Sequence, residues 1–252
     1  MSTKVTNEMN RLPTVGCLDL CVQFLGDIST EYTKIVFLNA RSLHKHLDDV
    51  RGDINLKVAE VNIIVESRLW VFDRDEEFEV DGFSLFRNDE QTHVHSRRQR
   101  PHGGTAVYIR ESSPCIDQYP KRENCFGIEV TIVKLRNLPN VVIAGIYRSP
   151  CVPVTQLYQA LAHVHTLMPT DVRHVILGDF NIDWFDDLQR STLFNQMISL
   201  YGYTQHIKTS TTDYRTTIDL IFSNVDEKQI PSGVVETYFT DHKGIWIALK
   251  NE

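Results

Sequence analysis

The run His174-Val175-Ile176-Leu177-Gly178-Asp179-Phe180-Asn181 decides how the rest of the chain is read. Val175, Ile176 and Leu177 form an unbroken apolar stretch. It reads as a buried strand, although periodicity alone does not separate it from a buried helical segment. Gly178 then lets the backbone turn. Asp179 and Asn181 follow two residues apart, and on an extended chain such residues share a face. A carboxylate and an amide aimed together from the end of a buried strand are costly to place without a partner. A turn that uses Asp and Asn for its own hydrogen bonds accounts for the stretch equally well.

The same pattern recurs. Ile35-Val36-Phe37-Leu38 ends in Asn39, Val61 to Val65 ends in Glu66, and Val141 to Ile146 ends in Tyr147 and Arg148. Each is a β-rich apolar run that stops at a polar residue able to hold a metal or a phosphate. One such ending is a turn; four point to strands whose ends converge on a common site. Further strands are expected at Phe83–Arg87, Gly104–Arg110, Phe126–Leu135, Thr217–Ser223 and Ile245–Leu249. The 128–134 stretch alternates roughly, as a half-exposed strand does. Amphipathic helices are expected over His44–Val58 (Leu43, Leu47, Val50, Ile54 and Val58 on one face), Val154–Met168 and Leu188–Leu200 (Leu188, Leu193, Met197 and Leu200). Many strands with a few helices between them predict an α+β fold: two packed, mainly antiparallel sheets flanked by helices, a four-layer α/β sandwich.

Composition sets the bounds. The chain has 252 residues, 42% hydrophobic and 23% charged, which is ordinary globular usage and enough to bury a full core. No Pro/Gly/Ser-rich linker divides it. We expect an extension over 1–33 and one domain over 34–252. The net charge of −7 argues against tight, non-specific coating of DNA, but not against DNA met through a basic cluster or a divalent metal. The five cysteines, Cys17, Cys21, Cys115, Cys125 and Cys151, have neither disulfide-framework nor zinc-site spacing, so reduced thiols in an intracellular compartment are expected. Asp19 interrupts the only apolar patch near the start, so no signal peptide is expected, and no run is long enough to span a bilayer.

Three carboxylates need an explanation. Glu66 follows a buried run; it is either a cap or a ligand suited to Mg²⁺, which takes hard oxygen donors. Asp219 lies among apolar residues in Thr217-Ile218-Asp219-Leu220-Ile221-Phe222 and requires a partner, either a structural ion pair or a catalytic one. Asp241 and His242 are adjacent, and adjacent residues on an extended segment face opposite ways. Asp241 is therefore a poor orienter of His242, and Asp219 is the better candidate. A histidine beside a carboxylate has its pKa raised, and the protonated ring donates two hydrogen bonds.

Taken together, Leu38-Asn39-Ala40-Arg41-Ser42-Leu43, Ile64-Val65-Glu66-Ser67, Gly145-Ile146-Tyr147-Arg148-Ser149-Pro150, Gly178-Asp179-Phe180-Asn181, Ile218-Asp219-Leu220-Ile221-Phe222 and Thr240-Asp241-His242 resemble the exonuclease–endonuclease–phosphatase superfamily. Within it, the chain is similar to the apurinic/apyrimidinic-type endonuclease domains of non-LTR retrotransposons and related mobile elements. The likeness covers roughly residues 34–250. It implies a two-sheet sandwich and Mg²⁺-dependent hydrolysis of DNA phosphodiester bonds, with Mn²⁺ expected to substitute. It also implies the roles: Glu66 as metal ligand with Asn39 and Asp241 close by, Asp179 activating the attacking water, and Asn181 orienting that water or the phosphate. Asp219 would hold His242 against the scissile phosphate, and Tyr147 would stabilise the phosphate or the leaving group. Arg41 and Arg148 are candidate substrate contacts, with Arg97, Arg98 and Arg100 of the basic loop His93–Gly104; a solvated loop is the plainer reading of that stretch. The polar segment Lys208–Arg215 is either a turn or a hairpin that enters a DNA groove, as one near here does in relatives.

Two departures stand out. Thr240 replaces a serine of many relatives and keeps the hydroxyl. Arg41 stands where DNA-repair relatives have an acid near the metal, which favours the mobile-element branch and weakens the expectation of repair-type abasic-site cleavage. A DNA partner and the nucleus are expected, and a reverse transcriptase or helicase domain of a larger polyprotein is a candidate companion. The competing functions are a phosphatase of the same superfamily and a non-catalytic DNA-binding module.

Overall fold

The structure, a computed structural model, describes residues 24–89, 102–225 and 230–252. In chain order the elements are β1 (Tyr32–Asn39), α1 (Leu43–Gly52), α2 (Ile54–Val58), β2 (Val61–Val65), β3 (Phe83–Asn88), β4 (Thr105–Arg110), β5 (Lys121–Cys125), β6 (Ile128–Val133), β7 (Val141–Arg148), α3 (Val154–Leu167), β8 (Arg173–Asp179), α4 (Asp187–Phe194), β9 (Thr204–Gln205), β10 (Asp219–Ser223), β11 (Ser232–Val235) and β12 (Gly244–Lys250). Among the described residues twelve strands form two sheets, in the orders β11-β12-β1-β2-β4-β3 and β5-β6-β7-β8-β10-β9. Within each sheet one pairing is parallel, β1 with β2 and β7 with β8, and the others are antiparallel. The expected sandwich is the one observed.

Strand alternation builds the layers. Ile35, Phe37, Ile63 and Ile247 of the first sheet meet Ile143, Leu177 and Ile221 of the second. The intervening residues face outward: Val36, Leu38, Ile64 and Trp246 pack under Leu43, Val50 and Leu56 of the first helical pair. On the far side Ile146, Ile176 and Phe222 pack under Leu157, Leu161 and Val164 of α3. With one face on the opposite sheet and the other under helices, the strands read as continuous apolar runs. For the same reason β6 is buried along its whole length rather than half-exposed.

Several expectations are corrected. The single helix over 44–58 is two, because the Asp53 carboxylate caps a new helix start, accepting from Asn55 N (2.8 Å) and Leu56 N (2.9 Å). Ile54, placed on its buried face, is exposed. Leu188 and Leu200 are exposed as well: Leu188, five residues before Leu193, lies off the face that packs, and the helix changes to a wider π-type turn over Asn195–Leu200; Leu193 and Met197 carry its packing. Residues 24–33 belong to the packed body: Leu25 is fully buried and its N–H donates to Asn55 Oδ1 (2.8 Å). Gly178 does not turn the chain. It lies inside β8, where an added Cβ would sit 2.5 Å from the Ile146 carbonyl oxygen. The turn belongs to Asn181, at φ +49°. Among the described residues no helix is long and apolar enough to cross a membrane.

Candidate active site

Strand register alone brings the second sheet's polar ends together. Asp179 lies opposite Asp219 across β8 and β10 and beside Tyr147 across β7 and β8. The first sheet delivers Asn39 at the end of β1, Glu66 just after β2, and Asp241-His242 just before β12. Of the seven non-glycine residues at positive φ among the described residues, Arg41 (54°), Glu66 (47°), Arg68 (54°) and Asn181 (49°) sit at these strand ends. Side chains with a Cβ rarely occupy this region, and such strain concentrates at functional sites.

The buried centre is tightly connected. Asn39 Nδ2 donates to Glu66 Oε1 (2.8 Å) and to Asp179 Oδ2 (3.0 Å), joining the two sheets. Asp179 Oδ1 accepts from Asn181 N (3.0 Å). The Tyr147 hydroxyl donates to Glu66 Oε1 (3.2 Å). His242 Nδ1 lies 3.0 Å from Asp219 Oδ2, so the partner expected from side-chain direction is the one observed. Thr240 Oγ1 donates to Asn39 O (3.0 Å), tying the loop that carries Asp241 and His242 to the end of β1.

The electrostatics follow from this crowding. Burial raises the Asp179 carboxyl to about 7, reinforced by Asp219 and opposed by His242 and by the hydrogen bonds from Asn39 and Asn181. Burial works to lower the His242 pKa, but Asp219, by charge and hydrogen bond, outweighs it, and with Asp179 and Asp241 lifts the ring to about 9. Its imidazole is therefore cationic near neutrality. Burial, with Glu66 and Asp179, pushes the Tyr147 phenol far up, so it keeps its proton.

At the rim, Arg41 pairs with Asp241 and Arg68 with Glu66. A cleft of about 990 Å³ opens beside them, lined by Arg41, His44, Arg68, Trp70, His102 and Asp241. Two groups of side chains could offer ligand atoms to a cation. Asp179, Asp219 and His242 place one ligand atom each within 4.8 Å of one another. A protonated imidazole repels a cation, whereas Glu66, bonded to Asn39, and Asp241 at the same end of the first sheet offer the oxygen donors a hard ion takes. Asp241 Oδ1 supports this: it is buried and has no hydrogen-bond partner among the described residues.

Arg148 requires a correction. Its guanidinium faces inward, donating to Phe180 O (2.7 Å), Asn181 O (2.8 Å) and Val152 O. Each of its three nitrogens donates to a backbone carbonyl, two in the turn after Asp179 and one at Val152, and the side chain is buried, so it braces this turn rather than standing in the cleft as the expected substrate contact. Asn181 Nδ2 returns a hydrogen bond to Arg148 O (2.7 Å). Arg97, Arg98 and Arg100 lie outside the described residues. The 208–215 segment packs on the His242 loop: Asp213 N donates to Asp241 O (3.0 Å), and Tyr214 is exposed.

Two residues escaped the sequence reading. Arg68 sits two positions past Glu66 and pairs with it because both residues are at positive φ, a local backbone turn that no periodic pattern announces. Glu129 lies opposite Tyr147 and accepts from Gly104 N and Thr105 Oγ1, both at 2.9 Å. Gly103 and Gly104 in turn accept from Arg68 N and Ser67 N through their carbonyls. An acid inside an apolar strand, the signal that marked Asp219, marks Glu129 too.

A two-sheet sandwich with acids, an amide and a cationic histidine meeting at its strand ends is an architecture for phosphate-ester chemistry. The sequence matches the Endonuclease/Exonuclease/phosphatase family over residues 39–242, and the chain belongs to that family. No curated protein matches it. Among solved structures it is similar to the human Nocturnin catalytic domain with bound sulfate (10% identity, 86% of this chain and 92% of that one, TM-score 0.64). It is also similar to the endonuclease domain of TRAS1, a telomere-specific non-LTR retrotransposon (16%, 87% and 99%, TM-score 0.62). A third is an AP endonuclease from Archaeoglobus fulgidus (15%, 87% and 100%, TM-score 0.61). At these identities the likeness is one of fold.

Proposed function

We propose that this chain is a Mg²⁺-dependent endonuclease of mobile-element type that nicks DNA by attack of water on a phosphodiester. The observation that carries the reading is the meeting of Asp179 with the Asp219–His242 pair, linked through Asn39 to Glu66. Asp179 accepts a proton from the attacking water; Asn39 and Asn181 hold its two oxygens in place. A base is most effective with a pKa near the working pH, which suits a carboxyl raised to about 7. Asp219 fixes Nδ1 of His242, which leaves the Nε2 proton for a phosphate oxygen. That donor gains strength as negative charge grows in the transition state. Tyr147, still protonated, donates near the same centre. Glu66, Asn39 and Asp241 would hold Mg²⁺, or Mn²⁺ in its place, and the ion would supply charge against the phosphate oxygens. Arg41 contacts the DNA backbone, as do Arg97, Arg98 and Arg100.

The TRAS1 likeness and Arg41 together favour a mobile-element origin, nuclear action on DNA, and a companion reverse transcriptase or helicase domain. The test is relaxation of supercoiled plasmid with Mg²⁺, with EDTA and Asp179→Ala as controls. Nicking by the wild type alone is expected. A plasmid left supercoiled across metals and salts, beside release of phosphate from monoesters, would transfer the reading to a phosphatase. Binding without either activity would make it a DNA-binding module.

A further inference from the structure

A second group of metal-ligating side chains lies on the other edge of the second sheet. Glu123 and Cys125 are two residues apart on edge strand β5, so they share a face. That face is covered by α3, which brings His163 to them. Sγ of Cys125, a ring nitrogen of His163 and a carboxylate oxygen of Glu123 all lie within 4.8 Å of one another. Cys125 is buried and unbridged, and among the described residues none of the three side chains has another hydrogen bond or ion pair.

We infer that Glu123, Cys125 and His163 form a zinc site that clips β5 to α3, separate from the catalytic cluster. Thiolate, imidazole and carboxylate are the donors zinc takes, whereas Mg²⁺ avoids sulfur. Zinc–ligand bonds of about 2.0–2.3 Å require the donors to close by roughly an ångström, within the reach of side-chain rotation. Three protein donors leave the fourth position to water. As the sulfur–metal bond forms, the Cys125 S–H proton leaves to solvent. The clip has a structural purpose. Most of β5 is solvent-exposed and among the described residues it pairs only with β6, so little besides backbone hydrogen bonds anchors it.

The full chain, stripped with chelator and returned to excess Mg²⁺, is titrated with Co²⁺ and Zn²⁺. A thiolate-to-cobalt charge-transfer band is expected, displaced by zinc, and zinc should raise the melting temperature by roughly 5 °C at a large excess over Kd. Cys125→Ser and His163→Ala should abolish the band and weaken zinc binding at least about tenfold. Asp179→Asn should leave both unchanged. His163 is far less buried than Cys125, so its variant tests the site even where Cys125→Ser disturbs the fold. A missing band overturns the proposal. So does a band that persists in Cys125→Ser, one that follows Cys115, Cys151, Cys17 or Cys21 instead, or zinc binding that follows Asp179.

Discussion

Asp241 and His242 are neighbours in sequence, yet they make two very different ion pairs. His242 turns inward to Asp219, in a pair with side-chain exposures of only 9% and 1%. Asp241 turns outward to Arg41, with exposures of 19% and 50%. The alternation of an extended segment sends one dipeptide to both environments. In the buried environment charges are hardly screened and every polar atom needs a partner, so small changes alter chemistry. At the rim, water and salt weaken the pair, and its charges are available to a ligand.

The largest effect is expected at the buried centre. Asp179→Asn should lower nicking by about 10³–10⁴-fold, as loss of a general base does. In EDTA the same change should raise stability at neutral pH, because a carboxyl pushed up to about 7 by burial resists ionising in the fold. The sign follows from linkage. Its folded pKa lies above the unfolded value, so the folded state loses stability as pH rises from about 4 to 7. His242 acts in the same direction at higher pH: its contribution is complete below about 6.5 and is lost as pH passes about 9. Urea denaturation in EDTA from pH 5 to pH 10 should therefore show stability falling in both ranges, the second step absent in His242→Asn. A flat profile would remove His242 from the charged interior.

His242→Ala comes next. Its nicking rate should fall by about 10²–10³-fold while DNA affinity changes little, because its proton matters most where transition-state charge develops. Equal losses in rate and affinity would make it a rim-like binding residue and erase the contrast with Asp241.

The same contrast explains what could be read from the sequence. Apolar strands ending in polar residues were visible because burial on both faces leaves a continuous apolar run. The Asp219–His242 pair was visible because a buried acid requires a partner. By contrast, β5 carries Lys121, Arg122, Glu123 and Asn124, and β11 is a four-residue edge. Edge strands tolerate charge on both sides and so lack a periodic signal. The part played by Gly178 depends on how closely β7 and β8 approach, and no local pattern encodes that distance. Arg148 looked like a phosphate contact because charge suggests a ligand. Its carbonyl partners come from Val152 and from a loop more than thirty residues away in sequence, which is a tertiary fact.

Arg148→Ala tests that correction at intermediate magnitude. Removing a buried guanidinium that serves three carbonyls should destabilise the fold by roughly 2–4 kcal/mol. The salt dependence of DNA binding should stay as in the wild type. A reduced salt slope with unchanged stability would restore Arg148 to the substrate side.

The smallest effect is expected at Arg41. Its pair with Asp241 is half-exposed, so Arg41→Ala should change stability by no more than about 1 kcal/mol. If Arg41 meets the DNA backbone, log–log plots of binding against salt should lose a slope of about 1. The pairing with Asp241 adds a second consequence. Freed of Arg41, Asp241 presents both oxygens to a cation, so the variant should reach half-maximal nicking at a lower Mg²⁺ concentration even as it binds DNA less well. Arg41→Lys should behave between the two, since it keeps the charge without the planar fork. A Mg²⁺ requirement that rises together with weaker DNA binding would mean that Arg41 holds Asp241 in place for the ion rather than competing with it.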